Sequence, residues 1–314
     1  MAISGFMIVR NVVAQGYPFV EAIAAALPIC DEFLVSDGYS SDGTWKALTA
    51  LAASHPAKIR LFQDEWRGST ERGGIIAAMT NVLKPRCRFE YCLNLQANEI
   101  IHEAAAAQIR DLPALYPGVE IFRMPFLTLL GTDLTWHVDF RRRLFRNSPS
   151  IVSKADGFDC GYDPRLMWRE PHKLYRYILH RTGERVIYLP RPIYRYRALF
   201  PEQYVAKLEQ HCALYTRSTF LHRELEFARR VWAATNTDRS SPGEFWVAMR
   251  EFFDDAMWQP RASGAPPKDV PRRMIPFSDP PPGIMRPLAG KWRYDVDSSL
   301  DALRISRGED RSSS

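Results

Sequence analysis

The sequence lacks the patterns that would place it in several well-defined classes of protein. It has no Cys-x-x-Cys pair and no histidine at zinc-finger spacing, which excludes the common structural zinc sites. It has neither Gly-x-Gly-x-x-Gly nor Gly-x-x-x-x-Gly-Lys-Ser/Thr, which argues against dinucleotide-binding and P-loop proteins. No apolar run approaches the ~20 residues of a spanning helix, and the N-terminus lacks a basic leader. We therefore expect a cytoplasmic protein that can associate with a membrane without crossing it.

The composition predicts a globular protein with a real core. Of 314 residues, 46% are apolar and 12% are aromatic, which is too many for a disordered chain. The formal charge of +6 and the pI near 9.1 suit a polyanionic partner, but they equally suit a protein kept soluble by surplus charge. Five cysteines, an odd number, are expected to be free thiols in a reducing compartment.

The first hundred residues alternate between short apolar runs and segments with helical periodicity. The predicted strands are 4–10, 32–36, 58–62 and 91–95, and the predicted helices are 17–27, 44–53 and 73–83. Such alternation indicates βαβ units and a mostly parallel sheet. Further strands are predicted at 119–130, 138–145 and 186–196, with a helix or helix pair over 201–231 and another helix over 242–257.

The pattern predicts three regions along the chain. Residues 1–200 form a catalytic domain with a nucleotide-binding half (1–103) and an acceptor half (104–200). Residues 201–259 form a helical extension. Residues 260–314 form a proline-rich, partly disordered tail, in which Trp292 and Tyr294 are candidate anchors and 307–314 are expected to be disordered.

The second strand runs into Ser-Asp-Gly-Tyr-Ser-Ser-Asp-Gly-Thr over residues 36–44. Asp37 therefore follows the carboxyl end of a parallel strand, where α/β sheets bind ligands, and its carboxylate can accept hydrogen bonds from a base or ribose. Gly38 and Gly43 permit a tight turn, and Ser41 or Asp42 can cap the next helix. A capped turn with no ligand explains the same residues.

Four segments together resemble family 2 glycosyltransferases, which have the GT-A fold. The string over 36–44 is similar to the family's Asp-Gly-Gly-Ser-x-Asp-Gly-Thr turn. The other three segments are Ile-Val-Arg-Asn at 8–11, the glycine- and alanine-containing helix of 71–81, and Asn-Leu-Gln-Ala-Asn-Glu-Ile-Ile-His-Glu at 94–103. The last is similar to a Leu-Gln-Ala-Asp-Glu form of the Asp-x-Asp motif. Weaker similarity extends through 141–146 and 193–197 to Tyr204-x-x-Lys207.

The resemblance implies a GT-A-like α/β fold and an inverting transfer of sugar from a nucleotide-activated donor, with UDP-sugar as the expected donor. An acceptor hydroxyl attacks the anomeric carbon while a carboxylate takes its proton. Positive charge must stabilise the departing diphosphate. The residues that would bind the donor nucleotide are Arg10, Asn11, Asp37, Gly38, Arg72, Gln96, Ala97 and Asn98.

One departure from the family pattern concerns the metal site. The family usually ligates Mg²⁺ or Mn²⁺ through an aspartate at the position of Asn98, and an amide is a weaker, uncharged ligand. Glu99 follows directly, but in a strand it points to the opposite face. Arg195 stands where a related subgroup has a histidine ligand. We therefore expect a metal site at Asn98 and Glu99 that is weak or absent, and a diphosphate neutralised by Arg195, Arg197 and Lys207. The alternative is that Gln96, Asn98 and a neighbouring carboxylate still hold the cation.

The general base is chosen from the acidic residues of 154–163, where the family presents acceptor-site residues. Asp156 is the first choice and Asp159 the second, with His137 and Asp139 as alternatives, although a solvated Asp-Gly turn explains either aspartate equally well. Arg141, Arg142, Arg143 and Arg146 form a dense basic cluster. It either faces an anionic ligand or, as favoured by the sequence, protects a solvated strand edge.

Several functions remain open at this level. The acceptor can be a saccharide, a lipid-linked glycan or a modified base in DNA, the last resting only on basic charge and the arginine clusters. A nucleotidyltransferase is the second enzyme class. A catalytically degenerate protein that still binds sugar nucleotides is the non-enzymatic alternative, prompted by Asn98.

Overall fold

The computed structural model of the protein describes most of the chain. The described residues are 1–67, 74–131, 134–154, 157, 159–167, 183–214, 219–235, 242–257, 275–276, 282–291 and 293–306. Within this part of the chain, no helix combines the length and the apolar character needed to cross a membrane.

Strands and helices alternate through the first half of the chain, and helices dominate the second half. The strands are β1 (Ile3–Val9), β2 (Glu32–Asp37), β3 (Ile59–Gln63), β4 (Tyr91–Asn94), β5 (Glu99–Ile101), β6 (Ile121–Leu130), β7 (Leu134–Arg146), β8 (Ile151–Lys154), β9 (Asp159–Tyr162), β10 (Glu184–Val186), β11 (Ile193–Ala198) and β12 (Ile275–Pro276). The helices are α1 (Phe19–Ala26), α2 (Thr44–Ala53), α3 (Gly74–Leu83), α4 (Glu103–Leu115), α5 (Pro164–Met167), α6 (Pro201–Leu214), α7 (Thr219–Thr235), α8 (Pro242–Met257) and α9 (Val296–Ser306), with 3-10 turns at Lys84–Arg86 and Gly283–Leu288.

The chain divides into two compact units that interleave along the sequence. The first comprises Met1–Asn11, Phe19–Phe126 and Asp139–Ile193, and the second comprises Val12–Pro18, Leu127–Val138 and Tyr194–Ser314. The three-region division predicted from the sequence remains a prediction, because the contacts group residues by proximity and not by order along the chain.

The first unit contains a mixed sheet in which β3, β2, β1, β4, β7 and β6 are neighbours in that order. β1 pairs in parallel with β2 and β4, and β2 pairs in parallel with β3. β7 runs antiparallel to β4. The predicted α/β class, a mostly parallel mixed sheet flanked by helices and followed by a helical extension, is confirmed.

The core of the first unit forms because its central strands are apolar on both faces. Every residue of β2 is buried, and so is all of β1 except Ile8. One cluster combines Phe6, Leu34 and Phe145 with three cysteines, Cys87, Cys92 and Cys160. All five cysteines are free and buried, as the prediction of free thiols requires. Burial raises the pKa of the Cys160 thiol to about 11, although the nearby charge of Arg143 opposes that rise.

The second unit is built around helices α6, α7 and α8. Their shared cluster includes Tyr204, Leu208, Ala228, Phe245 and Trp246, all buried. The Tyr204 ring lies 5.4 Å from Trp246 and 6.3 Å from Phe245, measured between ring centres. The buried apolar residues of α6 and α7 therefore belong to the core of this unit.

Some predicted elements need correction. The single strand predicted over 186–196 is two strands, β10 and β11, because Pro190 and Pro192 interrupt it. Helix α4 was not predicted; it begins at Glu103, and the His102 Nδ1 accepts a hydrogen bond from the Ala104 amide at 3.1 Å.

The tail is more ordered than its proline content indicates. A 3-10 turn and α9 form within it, and Met285 and Leu288 are buried. Tyr294 packs on Phe200 with 5.6 Å between ring centres, as its candidate anchoring role requires. Trp292 and residues 307–314 lie outside the described part of the chain.

Candidate functional site

Asp37 organises the turn that follows β2. Its side chain is fully buried. The Ser40 amide donates to Asp37 Oδ2 at 2.9 Å, and the Ser40 hydroxyl donates to Oδ1. Gln63 Nε2 makes a longer contact with Oδ2, at 3.4 Å. In this structure the carboxylate therefore accepts hydrogen bonds from its own turn and holds the turn in one conformation.

Asn11 links the loop after β1 to the same turn. The Asn11 amide donates to Ser40 Oγ at 2.8 Å, and Asn11 Oδ1 accepts from the Ser41 amide at 2.9 Å. Asn11 and Tyr39 both adopt left-handed backbone conformations, with φ of 51° and 54°. Asparagine tolerates this conformation better than most residues, and the two linked loops restrain it further. The structure thus brings Asn11, Asp37 and Gly38 together, as the sequence predicted.

Trp66, in the loop after β3, covers this turn. A Cβ atom added at Gly38 would lie 2.4 Å from Trp66 Nε1, so only glycine allows the indole to approach the backbone this closely. The Arg10 guanidinium lies 6.0 Å from the centre of the Trp66 ring. Trp66 Nε1 is buried and has no acceptor among the described residues. Buried donors usually have a partner, so this N–H is a candidate donor to a ligand.

Gly38→Ala should displace the Trp66 indole, because the added methyl cannot occupy the same space as the ring. With 5-fluorotryptophan in all eight tryptophan positions, the fluorine resonance that disappears in Trp66→Phe is that of Trp66. We expect this resonance to shift in Gly38→Ala and to stay in place in Gly118→Ala, where an added Cβ meets nothing within 4 Å. An unchanged Trp66 resonance in Gly38→Ala would contradict the described packing.

The segment Gln96–Glu99 follows β4 and forms a turn that is closed by two hydrogen bonds. Gln96, Ala97 and Asn98 lead into Glu99, whose amide donates to the Gln96 carbonyl at 3.0 Å. The Gln96 amide in turn donates to Glu99 Oε2 at 3.0 Å. Ala97 and Asn98 are buried and Gln96 is half-buried. This stretch is therefore ordered by its own glutamate.

Glu99 and Arg143 form an ion pair that is completely buried. Arg143 donates through Nε to Oε2 at 2.9 Å and through Nη2 to Oε1 at 2.5 Å. The guanidinium also lies 5.2 Å from the centre of the Phe126 ring. Burial by itself would lower the pKa of Arg143, but the charge and hydrogen bonds of Glu99 raise it above its ordinary value. Arg143 therefore remains charged.

These contacts decide how well the predicted metal residues suit a divalent cation. Both Glu99 oxygens accept hydrogen bonds from Arg143, and Asn98 offers only a neutral amide oxygen. A magnesium or manganese ion prefers carboxylate ligands, and a neighbouring guanidinium would repel it. The donor set at Asn98 and Glu99 does not fit a tightly bound divalent cation.

The arginine cluster of β7 is paired with carboxylates. Arg141 bonds Asp139, Arg142 bonds Asp159 and Glu184, Arg143 bonds Glu99, and Arg146 bonds Glu90. β7 lies between β4 and β6, so the interpretation of a solvated strand edge was wrong. The pairing also removes this cluster as support for a DNA acceptor, because its charge is balanced locally.

The candidate general bases are only partly covered by the described residues. Asp156, the first choice, lies outside the described residues. Asp159 accepts from the Arg142 amide and from Arg142 Nη1, both at 2.8 Å. Asp139 bonds Arg141, and His137 lies in β7 without a described side chain. The base assignments remain predictions.

The three residues predicted to neutralise a diphosphate lie together in the second unit. The positive charges of Arg195, Arg197 and Lys207 all lower the pKa of the Tyr17 hydroxyl. Lys207 Nζ lies 4.6 Å from the centre of the Tyr17 ring and donates to the Arg197 carbonyl at 2.9 Å. Arg197 also pairs with the fully buried Glu224 at 3.0 Å. Arg72, predicted to bind the nucleotide, falls outside the described residues.

Comparison with known proteins gives only distant structural similarity. Neither a protein-family profile nor a curated protein matches the sequence. Among solved structures, TarS from S. aureus is 13% identical with a TM-score of 0.40, and the match covers 81% of this chain and 49% of TarS. This chain thus spans about half the length of TarS.

Two other solved structures are similar at the same low level. A mannosyltransferase from Pyrobaculum calidifontis, in complex with GDP-Man and Mn²⁺, is 16% identical with a TM-score of 0.38, over 82% of this chain and 81% of the other. Glucosyl-3-phosphoglycerate synthase from Mycobacterium tuberculosis, with Mn²⁺ and UDP, is 15% identical with a TM-score of 0.27, over 41% and 44%. Values this low do not assign a function to this chain.

Three residues that contribute to these sites were not predicted. Trp66 follows the third strand by three residues, at the sheet edge that carries Arg10 and Asp37, so its position was a usable signal. Tyr17 was assigned to the first turn of a helix. Arg143 was grouped with its neighbouring arginines, although strand alternation separates it from Arg142.

Proposed function

We propose that this protein is a glycosyltransferase that moves a sugar from a nucleotide-activated donor to an acceptor hydroxyl. The observation that carries the proposal is the linked pair of loops after β1 and β2, in which Asn11, Ser40 and Asp37 hold one rigid polar turn. A preorganised turn at the carboxyl ends of parallel strands suits a nucleotide, and its sequence is the one that resembles the glycosyltransferase turn.

The nucleoside is proposed to bind at this turn. Trp66 offers a flat apolar face and an indole N–H that has no acceptor among the described residues. Aromatic stacking on a base contributes about 1–3 kcal/mol and is one common way to hold a nucleobase. Asp37 and Asn11 supply the oxygens and amide that can recognise base or ribose, and Arg10 supplies charge beside them.

The diphosphate is proposed to be neutralised by arginine and lysine and not by a metal ion. Arg195, Arg197 and Lys207 share one cluster, whereas Asn98 and Glu99 lack the free carboxylate that a divalent cation needs. Fixed cations can stabilise charge that develops on a leaving diphosphate as a metal does, provided that they are held in place beforehand. The hydrogen bond from Lys207 to the Arg197 carbonyl restrains both residues.

The transfer itself is proposed to proceed with inversion. An acceptor hydroxyl, from a saccharide or a lipid-linked glycan, attacks the anomeric carbon opposite the nucleotide, and a carboxylate removes its proton as the bond forms. Asp156 or Asp159 is proposed for that step. If Asp159 acts, it would take the proton on a lone pair that its two hydrogen bonds from Arg142 leave unused.

Isothermal titration with UDP, GDP and their common sugar conjugates tests this proposal. We expect one nucleotide to bind, with the same affinity in EDTA as in Mn²⁺, because the diphosphate charge is balanced by side chains. Binding that disappears in EDTA and returns with Mn²⁺ would contradict the cationic neutralisation and leave the donor site intact. The absence of binding by any nucleotide under both conditions would contradict the proposed function itself.

A further inference from the structure

The segment Val12–Pro18 of the second unit is fastened to helix α6. Gln203 donates through Nε2 to the Val13 carbonyl at 2.7 Å. Gly16 has a φ of 64°, and a Cβ added there would lie 2.6 Å from Gln203 Oε1. The amides of Gly16 and Tyr17 close the loop by donating to the carbonyls of Val13 and Val12, each at 3.0 Å. This loop therefore holds the Tyr17 ring in a defined place.

Tyr17 is surrounded by cationic side chains from two other elements. Lys207 projects from α6, with Nζ 4.6 Å from the ring centre, and Arg195 and Arg197 project from β11. Glu224 of α7 is the carboxylate in this group, and it accepts hydrogen bonds from Arg197 and from the Tyr204 hydroxyl. Lys207 is only 8% exposed. A buried ammonium gains more from a nearby anion than an exposed one does.

The electrostatics of the Tyr17 hydroxyl report this surplus of positive charge. Burial by itself would raise the pKa of Tyr17. The hydrogen bond and charge of Lys207, together with the charges of Arg195 and Arg197, outweigh burial and hold that pKa below its ordinary value. The surroundings thus stabilise negative charge at the phenolic oxygen, which is also what they would do for the oxygen of a bound phosphate.

We propose that Tyr17 belongs to the diphosphate site of this protein and that its hydroxyl donates a hydrogen bond to a phosphate oxygen beside Lys207. The ligand class is a nucleoside diphosphate, so the assignment rests on the proposed function. A phenol in this position supplies a directional donor that a lysine or arginine cluster lacks, and it can orient the leaving group.

A bound diphosphate changes the charge around Tyr17. Its oxygens pair with the cations that otherwise stabilise the Tyr17 phenolate, so the hydroxyl keeps its proton when the ligand is bound. Binding at alkaline pH is therefore accompanied by the uptake of one proton. Affinity must therefore fall as the pH rises through the pKa that Tyr17 has in the free protein. The tyrosine is therefore the group whose titration should set this pH dependence.

Tyr17→Phe removes the hydroxyl and keeps the ring. In the full chain we expect this change to weaken the binding of UDP or GDP, whichever the wild type binds, by about 10- to 100-fold. The binding of inorganic pyrophosphate should weaken by a similar factor. The decline of affinity on the alkaline side, through the lowered pKa of Tyr17, should vanish in Tyr17→Phe. Tyr188→Phe is the control, because Tyr188 is 78% exposed. Circular dichroism and thermal unfolding establish that both variants are folded.

The outcomes separate this proposal from the proposed function. If the wild type binds a nucleotide and Tyr17→Phe binds it equally well with the same pH dependence, the assignment of Tyr17 is wrong while the donor site stands. If no nucleotide binds, the proposed function fails, and the binding of pyrophosphate then tests the assignment of Tyr17 by itself. Weaker pyrophosphate binding in Tyr17→Phe supports an anion site, and unchanged or absent pyrophosphate binding overturns it.

Discussion

Glu99→Gln is expected to lower the free energy of unfolding by about 3–5 kcal/mol, because it leaves the buried Arg143 guanidinium without a counter-charge. Glutamine has nearly the shape of glutamate, so the cost reflects charge and hydrogen bonding and not packing. Both side chains of the pair are completely buried, and neither can turn to solvent. Urea denaturation monitored by circular dichroism gives the free energy directly.

A second pair provides the matched control. Glu90 and Arg146 also form an ion pair, at 2.6 Å, but their side chains are 44% and 31% exposed. Glu90→Gln should cost less than about 1 kcal/mol, because water screens the pair. The double variant Glu99→Leu/Arg143→Met should recover most of the lost stability, since it leaves no buried charge. Equal losses in Glu99→Gln and Glu90→Gln would show that the buried pair is not formed as described.

Asp37→Ala is expected to weaken nucleotide binding by about 10- to 100-fold, the effect of losing a hydrogen bond to a charged group. It also leaves the Ser40 amide without its acceptor, which should cost about 1–3 kcal/mol of stability. Titration calorimetry measures the first effect and denaturation the second. Asp42→Asn is the control in the same turn. The N-cap position of α2 is Gly43; Asp42 precedes it and accepts from the Thr44 amide at 3.1 Å, a bond that the side-chain oxygen of asparagine can also accept.

Ser40→Ala distinguishes two roles for Asp37. Ser40 Oγ bridges the Asn11 amide and Asp37, so its removal loosens the turn and leaves the carboxylate in place. If Asp37 contacts the nucleotide, Ser40→Ala should lose much less affinity than Asp37→Ala. Equal losses would mean that Asp37 acts only by holding the turn. Unchanged affinity in Asp37→Ala would remove the turn from the donor site.

The parts of the fold that follow from local pattern were predictable from the sequence. β1, β2 and the turn at Asp37 were predictable because apolar runs followed by aspartate and glycine have few alternative structures. The proximity of Asn11, Asp37 and Gly38 follows from parallel strands alone, since their carboxyl ends meet at one edge of the sheet. The order in the tail was not predictable, because its high proline content indicates an extended segment and only a few apolar residues, such as Met285 and Leu288, pack in the core.

The parts that depend on long-range pairing were not predictable. Glu99 and Arg143 are separated by 44 residues, and any of four arginines in β7 could have been the partner. Tyr17 approaches Lys207 only because Gln203 binds the loop 190 residues earlier in the chain. A side chain's charge indicates that it needs a partner, but only the fold decides which one it finds.

The most direct test of the central claim is to incubate the protein with a panel of UDP- and GDP-sugars in EDTA and to measure released nucleoside diphosphate. We predict that one sugar nucleotide is consumed, slowly with water as the acceptor, and that Asp37→Ala does not consume it while Asp42→Asn does. If the folded wild-type protein neither binds nor consumes any sugar nucleotide, with or without Mn²⁺, then the turn at Asp37 is a structural feature of the fold and this protein is not a glycosyltransferase.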